Sequence, residues 1–460
     1  MKKEKNIWAG LISFFLAVIL LAAFSPVALY AQGTDLNSHY SRIFSELMRF
    51  VKNNYVEDVD EKTLFEGAMK GMFESLNDPY SVYLPEDDME ALADTTTGEF
   101  GGVGLYISKM PEDKYVRVVA PIEDTPAYKL GISAGDLIVK IGDKSTEGMA
   151  LDDVTDHLRG EPGTDVVITF QRGENITFTQ TITRAVIQVP SVKFDYIDKE
   201  TGYLRIIQFT PNTPDKVKEA LKAFDRKKIK YLVIDLRNNP GGVLSAVCEI
   251  ADYFLDSGII VSTKSKIPSE NHVYKADKKT LLDKSVPIAV LIDKGSASAS
   301  EILSAALSDN GRGVLIGETT YGKGSVQQVH TIGLSGFKLT MSRYYTPEDK
   351  NIDKVGIPPL KEVKEREFTD KELDSYKKLV EEFRIVKFVQ ENPEPSEKEI
   401  TQFIRSLRKE NIELEERFIR KMIRNELNLK LNNPPVFDME FDIVLQEAVK
   451  MLENGEIKVK

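Results

Sequence analysis

The period of apolar and polar positions changes along this chain, and the changes divide it. From Ile7 to about Leu29 the residues are apolar apart from Ser13, Ser25 and Pro26, a run of roughly twenty residues and long enough to span a bilayer. Residues 36–93 carry a helical period: Phe44, Leu47, Met48 and Val51 share one face, and Phe65, Met69, Met72 and Phe73 another. Asn77-Asp-Pro-Tyr-Ser81 then marks a turn. Residues 94–186 switch to short strands, at 115–120, 135–141 and 165–171, separated by short helices at 127–130 and 151–158. Residues 187–360 alternate strand and helix. The runs at 202–209, 231–236 and 288–292 read as strands, and Val217, Ala220, Leu221 and Phe224 line an amphipathic helix between the first two. That order implies a βαβ layout with both faces of the sheet covered. Residues 361–460 return to charged helix, broken at Asn392-Pro-Glu-Pro395 and Asn432-Asn-Pro-Pro435, with helical blocks at 397–431 and 437–452.

With 460 residues, 42% apolar and 29% charged, the chain has material for more than one core, about two to four domains. A formal charge of −11 argues against nucleic acid as a partner, since that needs a basic face. The single cysteine, Cys248, has no intrachain disulfide partner and sits at apolar helical spacing, as a core residue does. Met1-Lys-Lys-Glu-Lys5 ahead of the apolar run reads as an export signal. Bulky Tyr30 makes 29–31 only a passable cleavage site, which tilts the reading towards a retained membrane anchor over a cleaved signal. Either way the chain from residue 32 onward is expected to work outside the cytoplasm.

The apolar strand at 288–292 ends near Gly295, and small residues lead into an apparent helix from Glu301. A strand, a tight turn and a helix start present one short side chain beside a helix N-terminus, which stabilises developing negative charge. Ser298 followed by Glu301 equally fits a capping box. Lys323 changes the balance, because it stands between Gly322 and Gly324 with Gln327 four residues on. A lysine serves as base to a serine once burial lowers its pKa, and Gln327 is placed to hold it. Of the four histidines, His330 is nearest this loop, but 327–332 alternates like a strand and an ordinary strand-face imidazole is the plainer reading. No cluster has metal-ligand spacing, and no cofactor is implied.

A glycine-rich stretch, Gly101, Gly102, Val103, Gly104 and Leu105, precedes a strand. Backbone N–H groups there can converge on an anion such as a peptide's terminal carboxylate, and the strand edge can pair with the peptide. A phosphate site or a mere turn would look the same. Arg159, at a predicted helix end, is either a solvated cap or the partner of a carboxylate in the following domain, coupling the two.

Three motifs carry a resemblance: Asp235-Leu-Arg-Asn-Asn-Pro-Gly-Gly242, Gly295-Ser-Ala-Ser-Ala-Ser-Glu-Ile302 and Gly317-Glu-Thr-Thr-Tyr-Gly-Lys-Gly-Ser-Val-Gln327. Their order and spacing resemble the carboxyl-terminal processing proteases, Ser/Lys endopeptidases with a PDZ domain, over most of residues 36–360. The resemblance implies Ser298 as nucleophile, Lys323 as base and Gln327 as its partner, with the N–H groups of Gly242 and Ala299 as oxyanion hole. It also implies an α/β protease core of the ClpP/crotonase-like βαβ kind with an inserted PDZ domain and helical N- and C-terminal regions. Its parts would be a signal peptide or anchor (1–31), a helical region (36–93), the PDZ domain (94–186), the protease core (187–360) and a helical C-terminal region (361–460). Expected partners are protein substrates with apolar C-termini, the membrane through the N-terminal segment, and a second copy in a homodimer or higher oligomer. The chain departs from the family after Gly356-Ile-Pro-Pro359, where it inserts roughly seventy charged residues. A silent PDZ scaffold binding exported proteins, or the same site acting on a small ester, are the rival readings.

Overall fold

A computed structural model describes residues 39–109, 113–122, 125–133, 135–173, 176–277, 280–429, 431 and 434–458. The apolar run at 7–29, and the export signal read from it, lie outside them. The chain divides into two units, Met1–Asn77 and Asp78–Lys460. In the first, helices His39–Asn54 and Glu61–Glu74 are described, and the Asp60 carboxylate caps the second by accepting the Thr63 N–H at 3.0 Å. The apolar stripe of the first helix is uncovered: Tyr40, Leu47 and Phe50 are each more than half exposed.

The second unit is built on a six-stranded sheet ordered Val192–Tyr196, Thr201–Ile206, Tyr231–Asp235, Ile288–Ile292, Val314–Gly317 and Lys361–Glu362. The first pair is antiparallel and the others parallel. Parallel neighbours need crossovers; Thr213–Lys227, Leu244–Asp252 and Ala299–Asp309 lie in the first three, and strands Ser325–Ile332 and Ser335–Tyr345 in the fourth. Successive strand side chains point to opposite faces. Leu232 and Ile234 therefore join Val217, Leu221, Phe224, Val247 and Leu303 on the crossover side. Val233, Ala289, Leu291 and Ile316 pack on the other side against Leu445, Ala448, Val449 and Leu452. Those last four belong to the final helix, Ile443–Glu453, which starts later than the pattern at 437–452 predicts because Asp442 caps it. The strand predicted at 202–209 ends at Ile206, and Phe209 joins Gly242 by a single bridge.

Residues 36–93 are not all helix. Val82–Leu84 forms an antiparallel pair with Ser335–Tyr345, in a second sheet that also holds Ile259–Lys264, Val273–Lys275 and Ser325–Ile332. Helix Glu86–Thr97 leads from it to a third sheet, ordered Leu105–Ser108, Val116–Pro121, Leu137–Ile141, Asp165–Arg172 and Ile176–Thr183. Helix Leu151–Leu158 packs Val154 and Leu158 into this sheet's own core. A two-stranded ribbon, Glu99–Gly102 with Ala185–Gln188, carries the chain into and out of this domain.

The insert forms a separate small core. Helices Asp370–Glu381, Arg384–Glu391, Glu397–Lys409 and Glu416–Leu429 enclose Leu379, Val389, Leu407, Ile419 and Ile423. The block predicted at 397–431 is thus two helices. Capping boxes at Thr369 with Glu372 and Ser396 with Glu399 start two of the four.

Candidate active site

The turns that follow Tyr231–Asp235, Ile288–Ile292 and Val314–Gly317 carry Gly242, Ser298 and Lys323. These three strands are adjacent and parallel, so their carboxyl ends, and the residues beyond them, converge on one edge of the sheet. Asn239, fully buried, joins the first two turns. Its carboxamide accepts the Gly241 N–H at 2.9 Å and donates to Ile206 O at 2.8 Å, while its own carbonyl accepts from Ala297 N and Ser300 Oγ, both at 2.9 Å. Gly241 and Gly242 have φ of +101° and +140°. A Cβ on Gly241 would lie 2.7 Å from Ser298 Cβ, and one on Gly242 would lie 2.1 Å from Phe209 O. Only glycine fits so close a backbone approach.

Serines are plentiful here, and hydrogen bonding sorts them. Ser296 Oγ donates to Leu236 O, Ser300 Oγ to Asn239 O and Ser304 Oγ to Ser300 O, each at 2.8 to 2.9 Å. All three are committed to backbone. Ser298 is different, with φ +56° and ψ −114°, a strained conformation for a residue with a Cβ, costing about 1–3 kcal/mol and typical of functional positions. Only half of the expected capping box forms. Glu301 accepts the Ser298 N–H at 2.8 Å, but the Ser298 hydroxyl caps no helical N–H. Tyr344, 3% exposed, meets the lysine loop, its hydroxyl donating to Lys323 O and its backbone N–H to Gly324 O at 3.0 Å.

Glu301 is fully buried and does more than cap. One oxygen accepts from Thr320 Oγ1 at 2.6 Å and Gly322 N at 2.7 Å; the other accepts from Ser298 N and from Lys323 N at 2.9 Å. On the far side, Lys354 N donates to Gly322 O at 2.7 Å. Burial pushes the Lys323 amine below lysine's ordinary value, and the charge of Lys338 adds to this, against the opposing pull of Glu301 and Asp78. Its Nζ stands 4.9 Å from the centre of the Tyr80 ring. Gln327 lies at the start of strand Ser325–Ile332, where its carboxamide N–H groups donate to Ser325 Oγ at 2.9 Å and Thr340 Oγ1 at 3.2 Å.

The bridge between Phe209 and Gly242 uses the N–H of Phe209, donated to Gly241 O at 2.9 Å, and that of Val243, donated to Phe209 O at 2.8 Å. It passes over the Gly242 N–H. Ala299 is the first residue of its helix, where an N–H has no intrahelical acceptor. These two N–H groups are those that the resemblance implies as an oxyanion hole.

In the third sheet, Gly101 and Gly102 sit in the ribbon paired with Val186 and Ala185, while Val103 and Gly104 form the loop before Leu105. The loop's carbonyls are occupied: Val103 O accepts from Ala127 N and Gly104 O from Ile122 N. Gly104 has φ +84°, and a Cβ there would strike Thr125 at 2.3 Å. Leu105–Ser108 is an end strand of its sheet. Arg159 does not reach the protease core's carboxylates; it pairs with Asp94 on helix Glu86–Thr97 at 3.0 Å and lies over the Phe100 ring. His330 stacks on Phe337, 4.9 Å between centroids. Burial pushes the Cys248 thiol up to about 12, which removes it as a nucleophile. Among the described residues no His, Cys, Asp and Glu group has the makings of a metal site.

Sequence reasoning overlooked Tyr344, Tyr80 and Glu301's bond to the lysine loop. The Tyr80 signal was present in Asn77-Asp-Pro-Tyr-Ser81, read only as a turn.

A serine peptidase with a PDZ domain is the class these parts define, and comparison with known proteins agrees. Residues 200–363 match the model of peptidase family S41, residues 117–172 a PDZ domain, and residues 32–88 the N-terminal domain of the activating protease CtpB. A carboxy-terminal-processing protease of Bartonella bacilliformis is 39% identical over 359 residues, covering 75% of this chain and 81% of its own length. Carboxy-terminal processing protease CtpA of Bacillus subtilis is 31% identical over 357 residues, covering 75% and 76%. The solved photosystem II D1 C-terminal processing protease is 30% identical, with a TM-score of 0.43 over 71% of this chain and 93% of that one. The chain belongs to the carboxy-terminal processing protease family and is a serine-type peptidase. Its PDZ domain makes a peptide or protein the natural class of substrate.

Proposed function

We propose that this protein is an exported endopeptidase that takes hold of apolar C-terminal tails through the loop Gly101, Gly102, Val103, Gly104 and Leu105, and cleaves with Ser298 and Lys323. Neutral Lys323 accepts the Ser298 proton as Oγ attacks the scissile carbonyl, then returns it to the leaving amine. The N–H groups of Gly242 and Ala299 receive the oxyanion, and the Gln327 carbonyl oxygen accepts from the lysine amine. The observation that carries this reading is Glu301, one buried carboxylate holding the backbone of Ser298 and of Lys323 at 2.8 and 2.9 Å. A loop bearing a desolvated lysine is fastened to Ser298, which unlike Ser296, Ser300 and Ser304 is not spent on backbone.

The tail fits between the end strand Leu105–Ser108 and helix Leu151–Leu158. Its carboxylate meets the N–H groups of the glycine loop, since that loop's carbonyls are turned inward. Arg159, on the end of that helix and paired with Asp94, is the candidate for relaying tail binding towards the core. The apolar run at 7–29 anchors or exports the chain, and the uncovered face of His39–Asn54 accounts for assembly with a second copy.

Cleavage of an unstructured protein with an apolar C-terminus, followed by mass spectrometry, tests the whole scheme. Ser298→Ala and Lys323→Ala should each abolish it, and a charged tail should weaken it. Cleavage that survives both substitutions would refute the dyad; indifference to the tail would refute the recognition.

A further inference from the structure

We propose that a cavity between the six-stranded sheet and the insert binds a small carboxylate, with Arg205 as its anchor.

The cavity measures about 290 Å³ and takes its walls from three parts of the chain. Tyr203 and Arg205 form its floor, two residues apart on strand Thr201–Ile206 and so on one face of the sheet. Farther along the sheet the same face packs against the final helix. Asn425 and Asn428 come from insert helix Glu416–Leu429, three residues apart and therefore neighbours on its surface. Phe437, from the segment before the final helix, closes one side, its ring 5.2 Å from that of Tyr203. Because one wall is an insert helix, the site exists only with the insert in place.

Arg205 has no partner in this structure. Its Nε is buried without an acceptor, and its side chain enters no hydrogen bond or ion pair among the described residues. Arg117 and Arg312 also bury an unmet Nε, but Arg117 pairs with Asp113 at 3.9 Å, and Arg312 donates to the carbonyls of Val286 and Asp283. The carboxylates around Arg205 are already taken. Register sets Asp235 beside it on the next strand, yet Asp235 accepts from Tyr203 Oη and from three N–H groups of Arg237. That is all a carboxylate can accept. Asp442 is held by Arg237 and Leu445 N, Glu365 by Arg417 and Lys421, and Asp438 by two backbone N–H groups.

A second cation stands opposite. Lys193 pairs with Arg205 across the antiparallel strands, so both side chains leave the same face of the sheet. Lys193 likewise has no ion pair among the described residues. Like charges directly opposite each other repel, and an anion beside both converts that repulsion to attraction.

The surroundings select the kind of anion. The planar guanidinium fork matches a carboxylate. Glu365, Asp438 and Asp442 on the walls repel a dianion such as phosphate more than a single charge. Phe437, with Val436 and Ile443 beside it, offers carbon to an apolar flank. The volume suits a small molecule, at the lower end of ligand pockets.

Isothermal titration calorimetry of the full chain with benzoate tests this, with benzamide and inorganic phosphate compared at matched ionic strength. Benzoate should bind with a Kd of about 1 mM or below. Arg205→Met keeps the apolar stem and should weaken binding at least about tenfold, the scale of one charge-assisted hydrogen bond. Benzamide, uncharged but of the same shape, and phosphate should each bind at least about tenfold more weakly than benzoate. Should Arg205→Met fail to fold, Asn428→Trp fills the cavity from the insert side and should abolish binding. No heat from benzoate at about 10 mM, equal binding of benzamide, or undiminished affinity in the folded variant would overturn the site. Phosphate binding more tightly than benzoate would overturn the assignment to a carboxylate.

Discussion

The backbone N–H of Lys323 donates to the carboxylate of Glu301 at 2.9 Å, although Lys323 lies in the loop after Val314–Gly317 and Glu301 in the first turn of helix Ala299–Asp309. Glu301 also accepts from Ser298, Thr320 and Gly322. All four bonds need an acceptor, and a carboxylate has the capacity for four. Glu301→Gln keeps the shape but turns an NH2 group against two donors. Stability should fall by about 2–4 kcal/mol, since donors are left unpaired in a buried site. Peptidase turnover should fall by more than tenfold, even in protein that remains folded. Denaturant titration beside turnover measures both. Loss of stability without loss of turnover in the folded fraction would show that Glu301 is only a brace.

Lys323 sets a pH dependence that can be read in two ways. Its folded pKa is depressed, chiefly by burial, so the active neutral amine is present at lower pH than in free lysine. The acid limb of kcat/KM should lie below the ordinary lysine value, and Lys323→Arg should be inactive at every pH because guanidinium does not deprotonate. The same shift affects folding. The unfolded chain holds this proton more tightly than the folded one, so the burden is full below the folded pKa and disappears as pH rises through the unfolded value. Lys323→Met should stabilise the protein near about pH 6 and gain little above about pH 10.5. A stabilisation that is the same at both pH values would contradict a depressed folded pKa.

Gly104 offers a separable test of tail capture. Its φ of +84° and the 2.3 Å approach to Thr125 exclude a Cβ without local movement, so Gly104→Ala should distort the loop whose N–H groups meet the carboxylate. Affinity for an apolar tail peptide should fall at least about tenfold, the scale of one or two hydrogen bonds, while fluorophosphonate labelling of Ser298 in the absence of peptide stays as in wild type. Titration of a fluorescent peptide measures it, and unchanged affinity would place tail binding elsewhere.

The sequence made the sheet readable because its strands are buried on both faces and so appear as continuous apolar runs, Ile288–Ile292 above all. It brought Ser298 and Lys323 forward as candidates because a lysine between glycines has no ordinary structural use. Tyr344 was not readable. It falls in a strand whose pattern is satisfied by any large apolar residue, and only the fold brings its hydroxyl to the Lys323 carbonyl. Nor was the partner of Arg159, since the pattern at 36–93 gave one helical region where the chain instead adds strand Val82–Leu84 to the second sheet and then turns into Glu86–Thr97. The insert was misread at 397–431 because an amphipathic period survives the turn at Asn411, which takes a positive φ that its short polar side chain tolerates.

Arg237 and Asp442 show what the final helix does for the sheet edge that carries Gly242. Arg237, in the stretch that leads to Asn239, forms two bonds to buried Asp235, at 3.0 and 2.6 Å, and two to Asp442, at 2.8 and 2.6 Å. Tyr203 adds a bond to Asp235 at 2.6 Å. Burial pushes the Asp235 carboxyl upward, but the Arg237 charge and these hydrogen bonds outweigh it and hold it below its usual range. Asp442 meanwhile caps the last helix through Leu445 N at 3.0 Å. Asparagine caps as well as aspartate, so Asp442→Asn removes the charge and spares the cap. With Arg237 left short of one anion, stability should fall by about 2–4 kcal/mol, towards the lower end of the cost of breaking a buried pair. Asp442→Ala should cost roughly a further 1 kcal/mol for the cap. The order of the two losses in denaturant unfolding distinguishes ion pair from cap. Because Arg237 borders the turn that presents Gly242, Asp442→Asn should also slow turnover without raising KM. An intact rate beside lost stability would confine the last helix to holding the fold.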